Sequence, residues 1–121
     1  MKIGIVGYRH FNDYAKLESF INSYISDNDI DIDDLTIVSG GAPGADTLAK
    51  RYANEYGLNY IEYPAEWGKY GSPQAAHIRN QLIVDESDLI IAFLHSNSRG
   101  TYDTINRAKK KKIGVEIVKI D

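Results

Sequence analysis

The sequence predicts an α/β fold: a five-stranded parallel sheet with helices on both of its faces, in one domain over residues 1–121. Three observations carry this expectation. Short apolar runs rich in Ile, Val and Leu alternate regularly with segments of helical period. The runs are continuous rather than alternating with polar residues, the pattern of strands covered on both faces. The intervening segments are also long enough to cross the sheet to a parallel neighbour.

The elements follow in order. "KIGIVG" (Lys2–Gly7) is a β-branched apolar run that ends on a turn-forming glycine. "YAKLESFINSYI" (residues 14–25) puts Leu17, Phe20, Ile21, Tyr24 and Ile25 on one helical face, with Asn12 or Asp13 as N-cap. "SDNDIDIDD" reads as a solvated acidic linker, because its aspartates lack the spacing and closing glutamate of a calcium loop. "LTIVSG" is the second strand. "GADTLAKRYANEYG" is the second helix, with Leu48, Tyr52, Ala53 and Tyr56 turned inward. "LNYIEY" is the third strand, and "PAEWGKYGSPQAA" is the longest irregular segment. A helix over "AAHIRNQLIVDES", a strand over "DLIIAFL", a helix over "TYDTINRAKKKK" and a strand over "GVEIVKI" complete the alternation. The result is a Rossmann-like three-layer arrangement with right-handed crossovers.

Composition narrows the function. Lys and Arg number 14 against 17 Asp and Glu, a formal charge of −3. That balance argues against a duplex nucleic acid partner, which requires a basic face, and disfavours a single-strand binder. With no cysteine there is no thiolate metal site, disulfide or cysteine nucleophile, and His10, His77 and His95 lack metal-ligand spacing. No apolar run approaches a membrane span. The expectation is a cytoplasmic protein with no cofactor, no metal and no membrane partner. The run Lys109–Lys112 complements a helix C-terminus rather than marking a nucleic-acid patch.

In such sheets ligands sit beyond the carboxyl ends of the strands, where strand order reverses. Four loops gather there: "GYRHF", "SGGAPGAD", "PAEWGKYGS" and "HSNSRGT". In the second, Ser39, Gly40, Gly41 and Gly44 bring backbone N–H groups toward a helix start, a setting for an anion. The loop is neither a Walker loop nor a G-x-G-x-x-G loop, since Asp46 and Thr47 stand where Lys-Ser/Thr would be. Asp46 is placed to cap the helix or to accept from a ligand ribose. Ser98, Gly100 and Thr101 repeat the design after the fourth strand, with Thr101 as a helix cap. Arg9 and Arg79 are candidate phosphate partners. Trp67 is either a plug on the core or a wall for a base or sugar. Asp46, Glu66, Asp103 and Glu116 are the acids nearest the rim.

Five blocks then resemble one family. "GYRHFNDY" is similar to the G-S-R-x-F-x-D-Y opening of the YspA-like proteins of the SLOG superfamily, and "SGGAPGADTLAKRYA" to their S-G-G-A-R-G-A-D signature. "PAEW", "AAHIRN" and "AFLHSNSRGT" resemble P-A-D-W, A-G-x-x-R-N and A-F-x-x-x-x-S-x-G-T. The resemblance runs from residue 7 to residue 101 and implies kinship with the Lonely Guy phosphoribohydrolases and DprA. It implies binding of a small nucleotide-derived ligand, in bacterial or phage conflict and stress signalling, as a sensor, sequestering protein or effector module. Binding positions carried over are Gly7, Arg9, Ser39, Gly40, Gly41, Gly44, Asp46, Trp67, Asn80, Ser98, Gly100 and Thr101. The alternative is N-glycosidic hydrolysis of a nucleoside monophosphate, with Arg79 and Asp103 as catalytic residues. Tyr8, Pro43 and Thr104 depart from the family patterns: Pro43 removes an arginine, and Thr104 stands where the hydrolases keep an acid. A homo-oligomer paired through helix faces is expected from related folds.

Overall fold

A computed structural model describes residues 1–121. Five strands are present: β1 (Lys2–Gly7), β2 (Thr36–Ser39), β3 (Asn59–Glu62), β4 (Leu89–Leu94) and β5 (Gly114–Lys119). They alternate with α1 (Tyr14–Asp27), α2 (Ala45–Glu55), α3 (Trp67–Tyr70), α4 (Gln74–Glu86) and α5 (Arg99–Lys111). All strand pairs are parallel, in the order β3-β2-β1-β4-β5. The chain builds outward from β1 to β3, then returns to the other side of β1 through β4. The strand order therefore reverses between β1 and β4.

Side-chain alternation divides the core into two layers. Ile3 and Ile5 of β1, Ile37 of β2, and Leu89, Ile91 and Phe93 of β4 face Leu17 and Ile21 of α1 and Ala45, Ala49, Tyr52 and Ala53 of α2. The intervening residues Val6, Val38, Ile90, Ala92 and Leu94 face Ile83 and Val84 of α4 and Ile105 and Ala108 of α5. Period-2 alternation thus gives each apolar run two buried faces. All six residues of β4, the most enclosed strand, are buried. No helix is long and apolar enough to cross a membrane.

Local signals act largely where the sequence puts them. Asp13 caps α1, its Oδ1 accepting from the Lys16 N–H at 3.1 Å. The acidic stretch is not wholly irregular: Ile32–Asp34 forms one 3₁₀ turn, opened by the Asp31 carboxylate accepting from the Asp33 N–H. The long segment after β3 contains α3, a single turn. Tyr56, expected inward, is 38% exposed, because its hydroxyl joins Glu18 and Asn22 on the rim of the α1–α2 contact.

Candidate functional site

The carboxyl ends of the strands border a cleft of about 670 Å³. It is lined by the loops after β1, β2 and β4, by Pro64, Ala65 and Trp67 after β3, and by Arg79, Asn80 and Ile83 of α4. Of the residues singled out in the sequence, Gly7, Arg9, Gly40, Gly41, Asp46, Trp67, Arg79, Asn80, Ser98, Gly100 and Thr101 line it. Ser39, Gly44 and Asp103 do not.

The β2–α2 loop is fixed by its own acid. Asp46, in the first turn of α2, accepts from the N–H groups of Gly40 and Ala42 on a single oxygen, Oδ2, at 3.2 and 3.3 Å. It is 5% exposed. Burial pushes its carboxyl up to about 6, against the pull of the nearby Arg79 guanidinium and of the Ala42 and Gly40 N–H groups. Gly40 must be small: a Cβ there would lie 2.6 Å from Arg79 Nη1 and 2.9 Å from Asp46 Oδ2. Gly44 works on the backbone. Its φ is +87°, and a Cβ would lie 2.3 Å from the Tyr8 carbonyl oxygen. That carbonyl also accepts from the Ala45 N–H at 3.2 Å, so the start of α2 is seated directly on the loop after β1. Ser39 is wholly buried and donates to the Ile5 carbonyl at 2.7 Å. Ser39 and Gly44 build the site from behind.

The β4–α5 loop has a different logic. Ser98 stands at the N-cap position, yet its hydroxyl accepts from the His95 N–H at 3.1 Å and donates to the His95 carbonyl. Thr101 does not cap the helix as expected, because it lies within the first turn, past the N-cap. Thr101 is 4% exposed, and its hydroxyl makes none of the side-chain hydrogen bonds of the chain. No side-chain N or O atom in the protein is both sealed from solvent and unpartnered, so that hydroxyl opens to the cleft. The N–H groups of Gly100 and Thr101, in the first turn of the helix, also have no intrachain acceptor.

Arg79 and Asn80 join the two loops. Arg79 donates through Nη1 to the Gly40 carbonyl at 3.2 Å and through Nε to Asn80 Oδ1 at 2.9 Å. Asn80 Nδ2 donates to Asp103 Oδ2 at 3.0 Å and contacts the Gly100 carbonyl at 3.5 Å. Asp103 also accepts from Arg107 Nε at 2.8 Å. Burial would raise its carboxyl, but the hydrogen bonds from Arg107 and Asn80 prevail and hold it below the usual range. It lines a separate polar groove between α4 and α5, outside the cleft. Trp67 is 54% exposed, so it is a wall of the cleft and not a plug on the core.

Sequence reasoning missed two contributors. Arg99, the first residue of α5, lines the cleft beside Gly100 and was overlooked within the "SRGT" block that pointed there. Tyr8 stacks on His95 with ring centroids 4.1 Å apart, across the gap between β1 and β4. Nothing in the sequence pairs residues so far apart. The cleft wall thus carries Arg9, Arg79 and Arg99 against one acid, Asp46: three positive charges and one negative, or +2. None of the three arginines forms an ion pair within the chain.

The fold has solved counterparts. DNA processing protein A (DprA) from Streptococcus pneumoniae superposes with a TM-score of 0.75 at 21% identity, over 96% of this chain and 49% of that one. DNA processing protein A from Helicobacter pylori, described as having a unique single-stranded DNA binding mode, gives a TM-score of 0.67 at 20% identity. That match covers 97% of this chain and 64% of that one. The chain thus spans about half of the first protein and under two thirds of the second, and the likeness is one of fold. It overturns one expectation. The reading from net charge, which argued against a duplex partner and disfavoured a single-strand binder, is overturned as a ground for setting nucleic acid aside, because a protein of this fold is described as binding single-stranded DNA. No curated protein sequence matches the chain. The match that settles kinship covers residues 1–70, from β1 through the glycine loop to α3, and by it the chain belongs to the YspA, cpYpsA-related SLOG family.

Proposed function

We propose that the chain binds a phosphate-bearing nucleotide, or a ligand built from one, in the cleft at the carboxyl ends of the strands. One observation carries the reading: in a chain of net charge −3, the cleft wall gathers three arginines without ion-pair partners against a single aspartate. Arg9 and Arg99 make no side-chain hydrogen bond within the chain and keep their donor forks for a phosphate, while Arg79, held by Asn80 and the Gly40 carbonyl, adds its charge from a fixed position. The first turn of α5, with two N–H groups and the Thr101 hydroxyl unpartnered, is the natural seat for that phosphate. Trp67, exposed on the cleft wall, offers a π-face to a base. The family and the fold support this class of ligand, whether as a free nucleotide or as one unit of a single strand.

Trp67 is the only tryptophan, so its fluorescence reports directly on the cleft. Titration with nucleoside monophosphates and short single-stranded oligonucleotides should quench it saturably. A flat response across both panels removes the reading, and the tighter panel names the source.

A second reading, N-glycosidic hydrolysis, is favoured by one feature. Asp46 is a buried acid in the cleft, beside Arg79, whose carboxyl is pushed up to about 6 by burial. An acid so placed stabilises positive charge developing on a ribose. In this reading Asp46 takes the part, since Asp103 is tied to Asn80 and Arg107 outside the cleft. Release of free base from nucleoside monophosphates is the expected result, and no base from a broad panel leaves the binding module alone.

A further inference from the structure

The β2–α2 loop has the composition of an anion cradle, yet its anion is already in place. The N–H groups of Gly40 and Ala42 both point at Oδ2 of Asp46. That carboxylate is carried by the first turn of the helix the loop leads into, so it is a fixed part of the fold. A phosphate entering the same cradle would meet its charge at close range in a partly desolvated wall, where like charges repel strongly. The loop is therefore ill suited to the phosphate of a ligand. Its free capacity lies elsewhere.

The second carboxylate oxygen, Oδ1, accepts no backbone hydrogen bond, and the Ser39 hydroxyl gives the carboxyl the smallest of its stabilising contacts. Gly40 and Ala42 are both spent on Oδ2. The Ser39 hydroxyl has its one proton committed to the Ile5 carbonyl at 2.7 Å. Arg79 is engaged through Nε with Asn80 and through Nη1 with the Gly40 carbonyl. Because no side-chain oxygen in the protein is both sealed and unpartnered, Oδ1 opens into the cleft that Asp46 lines. A side chain only 5% exposed thus presents one acceptor, in one direction, toward the ligand.

The position of that acceptor selects the donor. One pair of side chains spans the distance from Asp46 to the start of α5: Arg79 reaches the Gly40 carbonyl at 3.2 Å and Asn80 reaches the Gly100 carbonyl at 3.5 Å. With the phosphate at α5, the part of a nucleotide that falls opposite the loop is the one bonded to the phosphate, the sugar. Its donors are hydroxyl groups. We infer that Asp46 reads the sugar, its open Oδ1 accepting a ribose hydroxyl, so that the cleft takes ribonucleotides in preference to their deoxy counterparts. The inference rests on the cleft being a nucleotide site and adds the sugar class to it.

A buried acceptor left without its donor is a heavy penalty for a ligand lacking the hydroxyl, which is why such contacts discriminate well. The test is titration of Trp67 fluorescence with the four ribonucleoside 5′-monophosphates and with their 2′-deoxy and 3′-deoxy forms. Loss of the hydroxyl that Asp46 reads should weaken binding roughly tenfold or more. Asp46→Asn keeps one oxygen for Gly40 and Ala42 but turns the open acceptor into an amide donor. The ratio of ribonucleotide to deoxynucleotide affinity should therefore fall toward one in this variant. A purely structural or charge effect would shift both ligands together and leave that ratio unchanged, and that result overturns the assignment. Ribo and deoxy forms binding the unaltered protein within twofold of each other also overturn it, and leave the nucleotide site standing. Absence of any nucleotide response removes the site and the assignment together.

Discussion

Replacing Asp46 with asparagine should make the protein more stable at neutral pH. The carboxyl is buried in the wall of the cleft, and burial lifts its pKa from 3.8 to about 6. An acid raised in the folded state binds its proton more tightly there than in the unfolded chain. The folded form is therefore favoured at low pH, and the advantage is complete below about pH 4, where Asp46 is protonated in both states. It is lost as pH rises through 6, where the folded state must hold a buried charge. About two units at roughly 1.4 kcal/mol each give a loss of about 3 kcal/mol between pH 4 and 7.5. Asparagine keeps an oxygen for the Gly40 and Ala42 N–H groups and carries no charge, so it escapes that loss. Glu55, Glu86, Asp103 and Asp121 are shifted downward and stabilise the fold as pH rises. They are common to both proteins, so the difference between the two isolates Asp46. Urea denaturation at pH 4 and pH 7.5 reads it directly. Asp46→Asn should be about 2–3 kcal/mol more stable at pH 7.5 and nearly equal at pH 4. A variant no more stable at pH 7.5, or a gap that ignores pH, refutes the account of the buried charge.

Other substitutions separate binding from folding. Arg79→Ala should lower nucleotide affinity at least tenfold by Trp67 fluorescence, and unchanged affinity would remove Arg79 from the site. Gly40→Ala places a methyl group 2.6 Å from Arg79 Nη1, the far end of a flexible side chain. The same methyl lies 2.9 Å from Asp46 Oδ2, so the arginine is displaced and the loop loosened, and both affinity and thermal stability should fall; unchanged affinity would contradict this. Gly44→Ala meets the Tyr8 carbonyl at 2.3 Å and Arg9 C at 2.4 Å, neither of which can yield, at a φ that side chains avoid. A loss of at least about 3 kcal/mol is expected by denaturant titration.

The succession of strands and helices was legible because two periods alternate along the chain, and the position of the cleft followed from parallel strands sharing one carboxyl edge. What escaped was short or distant. Trp67–Tyr70 is a single turn, too brief for any period to register. The stacking of Tyr8 on His95 is made by strand pairing across the sheet, and local pattern says nothing of it. The sequence marks Asp46 as a ribose acceptor or a helix cap, but it does not show that one of its oxygens serves the loop. Its Oδ2 reaches back to the Gly40 and Ala42 N–H groups, with the start of α2 seated by Gly44 on the Tyr8 carbonyl. Thr101 misled for a similar reason. A hydroxyl near a helix start resembles a cap, but the true start lies three residues earlier, at Ser98.

The failed inference from net charge has a physical cause that bears on the site. Five exposed aspartates, Asp27 at the end of α1 and Asp29, Asp31, Asp33 and Asp34 after it, precede β2. They contribute −5 to a total of −3, so the rest of the chain sums to +2. Because α1 descends from the carboxyl end of β1 and β2 begins just after these residues, those acids sit at the amino edge of the sheet, away from the cleft. Exposed charges farther apart than about 10 Å are largely screened at moderate ionic strength. A ligand approaching the carboxyl edge therefore meets Arg9, Arg79 and Arg99 rather than the average of the molecule. On this argument, replacing the five aspartates with asparagine would change the pI greatly and the affinity for a nucleotide little. Replacing one cleft arginine would do the reverse.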